Sequence, residues 1–139
     1  MAKKEKDVKK HYEPLPKETE DIASKIIDAA IAVHRVLGPG LLERVYEVCL
    51  CHELEKRNLK FERQVNVPIV YDGISFEEGY RIDILVEDQI IIELKAVENY
   101  NPVWKAQILS YLKVTGKRLG LLTNFNVPLL KDGVQRVIL

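Results

Sequence analysis

The residues best suited to chemistry together are Asp83 and the run Glu93-Leu94-Lys95. Both lie in segments that read as strands, where successive side chains point to opposite faces, so Arg81 shares a face with Asp83, and Glu93 with Lys95. The connection Glu87-Asp88-Gln89 would pair Val86 with Ile90 and set Asp83 opposite Glu93. The same register puts Arg81 opposite Lys95, a like-charge pair that is unfavourable unless anions lie around it. Two adjoining carboxylates repel each other, and a divalent cation held by hard oxygen ligands relieves that repulsion. The ordinary alternative is a solvated sheet face with alternating charges. Against it, Ile90 to Val97 is otherwise almost wholly apolar, which suits a strand covered on both faces. A glutamate and a lysine in such a strand need partners.

Two further groups could join them. At 100° per residue, Glu43 falls beside Tyr46, Leu50 and Leu54, on the margin of an apolar helical stripe from which it can face inward. Gln107 and Tyr111 stand four apart on one helical face, although a half-buried Gln and Tyr would be an ordinary occurrence. His34 precedes Glu43 across a turn and suits packing or a helix end as well as a ligand role. His11 and His52 read as surface residues, and Trp104 as a core residue that could also stack on a base. Cys49 and Cys51 project from different sides of a helix, and with no other cysteine the chain cannot build a four-cysteine metal site.

The elements that must position these groups follow from periodicity. Thr19 is expected to cap a first helix carrying Ile22, Ile26, Ala29, Ala30, Val33 and Leu37 at helical spacing, stopped by Gly38-Pro39. A second helix is expected from Leu41 to about Arg57, with Leu42, Val45, Tyr46, Cys49, Leu50 and Leu54 on its apolar stripe and Asn58 as its breaker. Alternation then predicts a strand from Phe61 to Tyr71, interrupted on its apolar side by Arg63. Asp72-Gly73 is a hairpin turn, Gly79 a bend or bulge in the return strand to Val86, and Ile90 to Ala96 a third strand. Asn101-Pro102 opens a helix to Thr115. Leu119 to Thr123 reads as a strand buried on both faces, and Val134 to Leu139 as a last strand. The fold class is therefore α/β, a mixed central sheet flanked by helices, in the order ααβββαββ. Residues 1–18 are expected to be a flexible lead-in and 19–139 a single domain.

The chain has 139 residues, 47% of them hydrophobic, and its 21 Lys plus Arg balance 21 Asp plus Glu. That balance argues against a basic nucleic-acid coat or an acidic tail, and the length allows a sizeable core. No run approaches the ~20 apolar residues that span a bilayer. The charged start lacks the pattern of a secretory signal, and the sparse cysteines suit a reducing, cytoplasmic setting. The zero total hides a split, with 15 basic and 20 acidic residues in 1–98 against 6 basic and 1 acidic in 99–139. Between Asn99 and Lys131 there is no carboxylate, while Lys105, Lys113, Lys117 and Arg118 are present.

The run Gly40-Leu41-Leu42-Glu43-Arg44-Val45-Tyr46, preceded by His34 to Pro39, resembles the signature of the GxxExxY proteins, a branch of the PD-(D/E)XK nuclease superfamily. The resemblance extends from about Ile22 to Leu139 and includes Asn124-Phe125-Asn126-Val127-Pro128. Ile82 stands where the motif's name has proline. The resemblance implies a restriction-endonuclease-like αβββαβ core with one extra N-terminal helix and a C-terminal strand. It implies that Glu43 is the acidic residue of the first core helix, Asp83 the metal-binding aspartate, and Glu93 with Lys95 the E-x-K pair. Gln107 and Tyr111 are similar to the Gln-x-x-x-Tyr motif of RecB-like exonucleases, some of which add a histidine in the place His34 would take. The expected activity is hydrolysis of nucleic-acid phosphodiesters, DNA before RNA, with Mg²⁺ or Mn²⁺ on Asp83, Glu93 and the main-chain carbonyl of Leu94, and with Glu43 and His34 as further candidate ligands. A non-catalytic module of the same fold, binding nucleic acid or a protein, is the rival expectation. A homo-oligomer or protein partner stays open.

Overall fold

The computed structural model describes residues 13–139. The first twelve residues of the expected lead-in, His11 among them, lie outside the described residues. Helix α1 spans Lys17–Leu37 and α2 spans Glu43–Lys56. Strands β1 (Phe61–Tyr71), β2 (Ile74–Val86) and β3 (Ile90–Lys95) form a meander, and α3 (Val103–Thr115) leads to β4 (Leu119–Asn124). A 3₁₀ turn, Leu130–Asp132, precedes β5 (Val134–Ile138). The five strands form one sheet in the order β1-β2-β3-β4-β5, with only β3 and β4 parallel. Helix α3 is the crossover that a parallel pair requires.

Two apolar layers fix the sheet between the helices. Ile22, Ile26, Ala30, Val33, Leu50 and Leu54 of α1 and α2 pack with Ile84, Val86, Ile90, Ile92, Leu94, Leu119 and Leu121. On the opposite face, Ile108 and Leu112 of α3 pack with Leu85, Ile91, Leu122 and Val137. Strands β3 and β4 are therefore covered on both sides, as their near-continuous apolar runs require.

Several boundaries differ from the sequence reading for physical reasons. Helix α1 starts at Lys17, so Thr19 is inside it and donates its hydroxyl proton to Gln89 Oε1 (2.8 Å) instead of capping the helix. Helix α2 starts at Glu43, because Gly38 (φ 66°) and Gly40 (φ 95°) hold the chain in left-handed conformations before it. Its buried side is Tyr46, Glu47, Leu50, Cys51 and Leu54, which leaves Leu42 and Val45 exposed. Asn101 does open α3 as expected, its Oδ1 accepting the Val103 N–H at 3.0 Å.

The bend at Gly79 is real and steric. Between the pairs Val67↔Tyr80 and Ile69↔Phe76, β2 has two more residues than β1, which carries Pro68 with no amide proton to give. A methyl group on Gly79 would lie 1.9 Å from the Val67 carbonyl oxygen. Gly79→Ala is therefore expected to cost roughly 1–3 kcal/mol as the bulge shifts, read as a lower midpoint in urea. An unchanged midpoint would mean that the bulge relaxes freely.

Candidate active site

The β2–β3 ladder follows the expected register, with Val86↔Ile90, Leu85↔Ile91 and Ile84↔Ile92 paired, and then stops. One step on, side chains replace the backbone ladder. The Asp83 N–H donates to Glu93 Oε1 (3.2 Å), and the Leu94 N–H donates to Asp83 Oδ2 (2.8 Å). The strands thus part where the two carboxylates meet, and each carboxylate fills the place of a missing carbonyl. Alternation breaks at the same point, since Ile84 and Val86 pack towards α1 and α2 whereas Ile82 packs on the α3 side. Across β1, Gln64 takes a positive φ of 52°. The expected Arg81–Lys95 pairing is absent because no ladder remains to set it. Arg81 instead lines an open depression with Glu43, Arg44, Glu47, Arg63 and Gln64.

Burial and mutual repulsion make this pair of carboxylates costly to ionise. Glu93, 7% exposed, has its carboxyl pushed up from 4.5 to about 8, first by burial and then by the charge of Asp83, against the Asp83 N–H and Lys95, which favour the anion. Asp83 is also raised, chiefly by burial. The sign for stability follows from proton binding. Between pH about 4.5 and about 8 the folded protein keeps a proton on Glu93 that the unfolded chain has lost, so stability falls as pH rises through that window. Thermal melting in EDTA is expected to show this fall, and Glu93→Gln to remove most of it. Equal pH profiles for the two proteins would contradict the assignment.

The loop before α2 explains how Glu43 is placed. Tyr46 is fully buried and stacks on Phe125, with centroids 4.5 Å apart and planes 7° from parallel. Its hydroxyl donates to the Gly38 carbonyl (2.6 Å) and accepts the Leu41 N–H (3.1 Å). The tyrosine of the Gly-x-x-Glu-x-x-Tyr run thus fastens the turn that starts α2 through Gly38 and Leu41, while its glycine, Gly40, supplies the positive φ of 95° within that turn, and Glu43 is the first residue after it. Glu43 stays open to solvent, yet its carboxyl is raised by partial desolvation and then by Asp83, while Lys95 opposes the shift.

Sequence reasoning missed Glu47. One turn beyond Glu43 and 6% exposed, it accepts hydrogen bonds from Arg63 (2.6 Å) and Gln64 (2.6 Å). The signal was present twice, as a carboxylate at i+4 from Glu43 and as the arginine that interrupted the apolar side of β1. This cross-link ties α2 to β1 beside the centre.

Lys95 lies at the end of β3, half-buried, with Nζ 5.2 Å from the centre of the Trp104 ring. Trp104 is itself met edge-on by Tyr100 at 5.6 Å, so it serves as a platform for the lysine rather than as pure core. Tyr111 is buried on α3. Its phenol is pushed up to about 12 by burial and by the nearby charges of Glu93 and Asp83, and its ring meets Tyr80 at 5.1 Å. Gln107, one turn before it, is half-buried. His34 is occupied elsewhere, since its Nε2 donates to the Val127 carbonyl (2.7 Å) and its ring lies 6.4 Å from Phe125. It thereby links α1 to the loop after β4. Asn124 secures the other exit from β3, with Nδ2 donating to the Val97 carbonyl (2.9 Å) and Oδ1 accepting the Val97 N–H (3.3 Å). Cys51 is buried, its thiol raised to about 11 by burial, which makes it unreactive.

A family model described as the PD-(D/E)XK nuclease superfamily matches residues 20–137. The chain belongs to that superfamily. No curated protein and no solved structure is matched by the chain. The mixed five-stranded sheet with helices on both faces is the restriction-endonuclease-like fold of this PD-(D/E)XK protein. Nucleases of the superfamily generally use divalent metals. The donor set here suits such an ion chemically, because Asp83 and Glu93 are two hard carboxylates that repel when both are ionised, each with one oxygen accepting from a strand amide. Among the described residues no three His, Cys, Asp or Glu side chains converge as a ready ligand set. No helix among the described residues is long and apolar enough to cross a membrane.

Proposed function

We propose that this PD-(D/E)XK protein is a divalent-metal-dependent nuclease of the GxxExxY branch with RecB-like motifs, cleaving phosphodiester bonds in DNA in preference to RNA. The observation that carries the reading is the meeting of Asp83, Glu93 and Lys95 where the β2–β3 ladder ends. Asp83, Glu93 and the Leu94 carbonyl would hold Mg²⁺ or Mn²⁺, with Glu43 acting from the α2 side. When bound, the ion supplies Lewis acidity and a water of lowered pKa. Lys95 places its positive charge beside the scissile phosphate, where it stabilises the developing negative charge and orients the attacking water. The Trp104 face limits the positions open to that ammonium. Tyr111 stays a protonated phenol and so can donate to a phosphate oxygen, with Gln107 one turn away on the same side. Lys105 and Lys113 on α3 add sequence-independent attraction for the strand, whereas Lys117 pairs with Asp88 and Arg118 with the main-chain carbonyls of Glu13, Pro14 and Leu139.

The test is incubation of the protein with linear single-stranded DNA, double-stranded DNA and RNA in Mg²⁺, Mn²⁺ or EDTA. Cleavage in either metal but not in EDTA, faster on DNA, is the expected result. Absence of product from every substrate in both metals would overturn it.

A further inference from the structure

The acidic part of the chain contributes an arginine cluster to the mouth of the centre. Arg44 on the first turn of α2, Arg63 on β1 and Arg81 on β2 line one open depression of about 440 Å³ with Glu43, Glu47 and Gln64. It adjoins the centre, because Arg81 is two residues from Asp83 and the Glu43 and Glu47 charges both act on Asp83. The three arginines are not equivalent. Arg63 is engaged by Glu47, whose two oxygens are taken up by Arg63 and Gln64. Arg44 and Arg81 are exposed and have no carboxylate partner among the described residues. Like charges gathered on one concave surface repel, and only the Glu43 carboxylate is left to balance the two free guanidinium groups. Planar guanidinium forks match phosphate oxygens, and two of them on one surface suit an anion with several acceptors.

We propose that Arg44 and Arg81 form a phosphate-binding subsite that grips a nucleic-acid backbone phosphate flanking the scissile one. The subsite rests on the nuclease reading above and extends it. The strand is then held on two sides, by the basic stretch around α3 and by arginines from the segment whose overall charge is acidic. Arg63, held by Glu47, lines the same depression. Arg44 and Arg81 are positioning residues, so their loss weakens binding of ground state and transition state alike.

The test measures binding of a fluorescein-labelled single-stranded DNA oligonucleotide by anisotropy in EDTA, across a salt series, for wild type, Arg44→Ala, Arg81→Ala and the double variant. Each substitution is expected to reduce the slope of log affinity against log salt by about 0.7, and the double variant by about 1.4. Affinity should fall about tenfold in the double variant. In Mn²⁺ the double variant should show a raised KM with kcat within about twofold of wild type. Arg44→Lys and Arg81→Lys should restore the salt slope but only part of the affinity. A melting temperature equal to wild type certifies folding of each variant. Wild type that binds and cleaves while the double variant keeps the same slope, affinity and KM overturns the subsite and leaves the nuclease reading standing. Wild type that neither binds nor cleaves any nucleic acid overturns both.

Discussion

Lys95→Ala is expected to lower kcat for metal-dependent cleavage by about 10²–10³-fold, the range typical of removing one fixed charge from a transition state. The lysine is not needed for the fold, since its Nζ makes no hydrogen bond or salt bridge among the described residues. What it does is electrostatic. Its charge favours the ionised forms of Glu43, Asp83 and Glu93 together. Loss of that charge should therefore leave urea unfolding almost unchanged near pH 5 and affect rate far more than KM. Lys95→Arg keeps the charge but sets a broad planar group over Trp104, and should recover only a minor part of the rate. A Lys95→Ala protein that cleaves at the wild-type rate would remove the lysine from the mechanism.

Tyr46→Ala is expected to destabilise the protein by about 3–5 kcal/mol, as other truncations of fully buried aromatic residues do. The ring is sealed against Phe125, and the hydroxyl bridges Gly38 and Leu41, so truncation both opens a cavity and frees the turn ahead of Glu43. Tyr46→Phe separates these effects. It keeps the stack and should cost only about 1–2 kcal/mol for the lost hydrogen bonds. Even so, it should reduce cleavage, because the turn no longer fixes the start of α2. Equilibrium unfolding of both variants, paired with rates measured well below their midpoints, makes the comparison. Equal stability of Tyr46→Ala and wild type would contradict the packing described here.

Most of the fold was legible because its signals are local. The strand β1 was read with its observed bounds, the Glu87-Asp88-Gln89 connection set the β2–β3 register, and Gly79 marked a bulge whose cause is a backbone contact. The buried side of α2 was less legible. Periodicity places Leu42 and Val45 on its stripe with Tyr46, Cys49, Leu50 and Leu54, whereas the helix exposes the first two and buries Glu47, a residue that becomes tolerable in the interior only through Arg63 and Gln64 from a distant strand. Periodicity cannot report a partner that tertiary structure supplies. The same limit applies to Arg81, whose expected neighbour Lys95 depended on a ladder that ends at Ile84 and Ile92, three residues short of that pair, and to His34, whose ring nitrogen is taken up by Val127 far along the chain. The charge split was likewise readable as a total but not as a layout. The acidic portion carries Asp83 and Glu93 and also turns Arg44, Arg63 and Arg81 towards the same opening.

Asp83 joins the two parted strands and faces Glu93, so the proposed centre depends on it first. The most direct measurement is therefore the rate of cleavage of one linear DNA in Mn²⁺ by wild type and by Asp83→Ala purified in parallel, each confirmed as folded by its melting curve. Metal-dependent product from wild type and a loss of at least about 10²-fold in Asp83→Ala is the predicted result. Product formed at the same rate by both proteins would contradict the proposed centre.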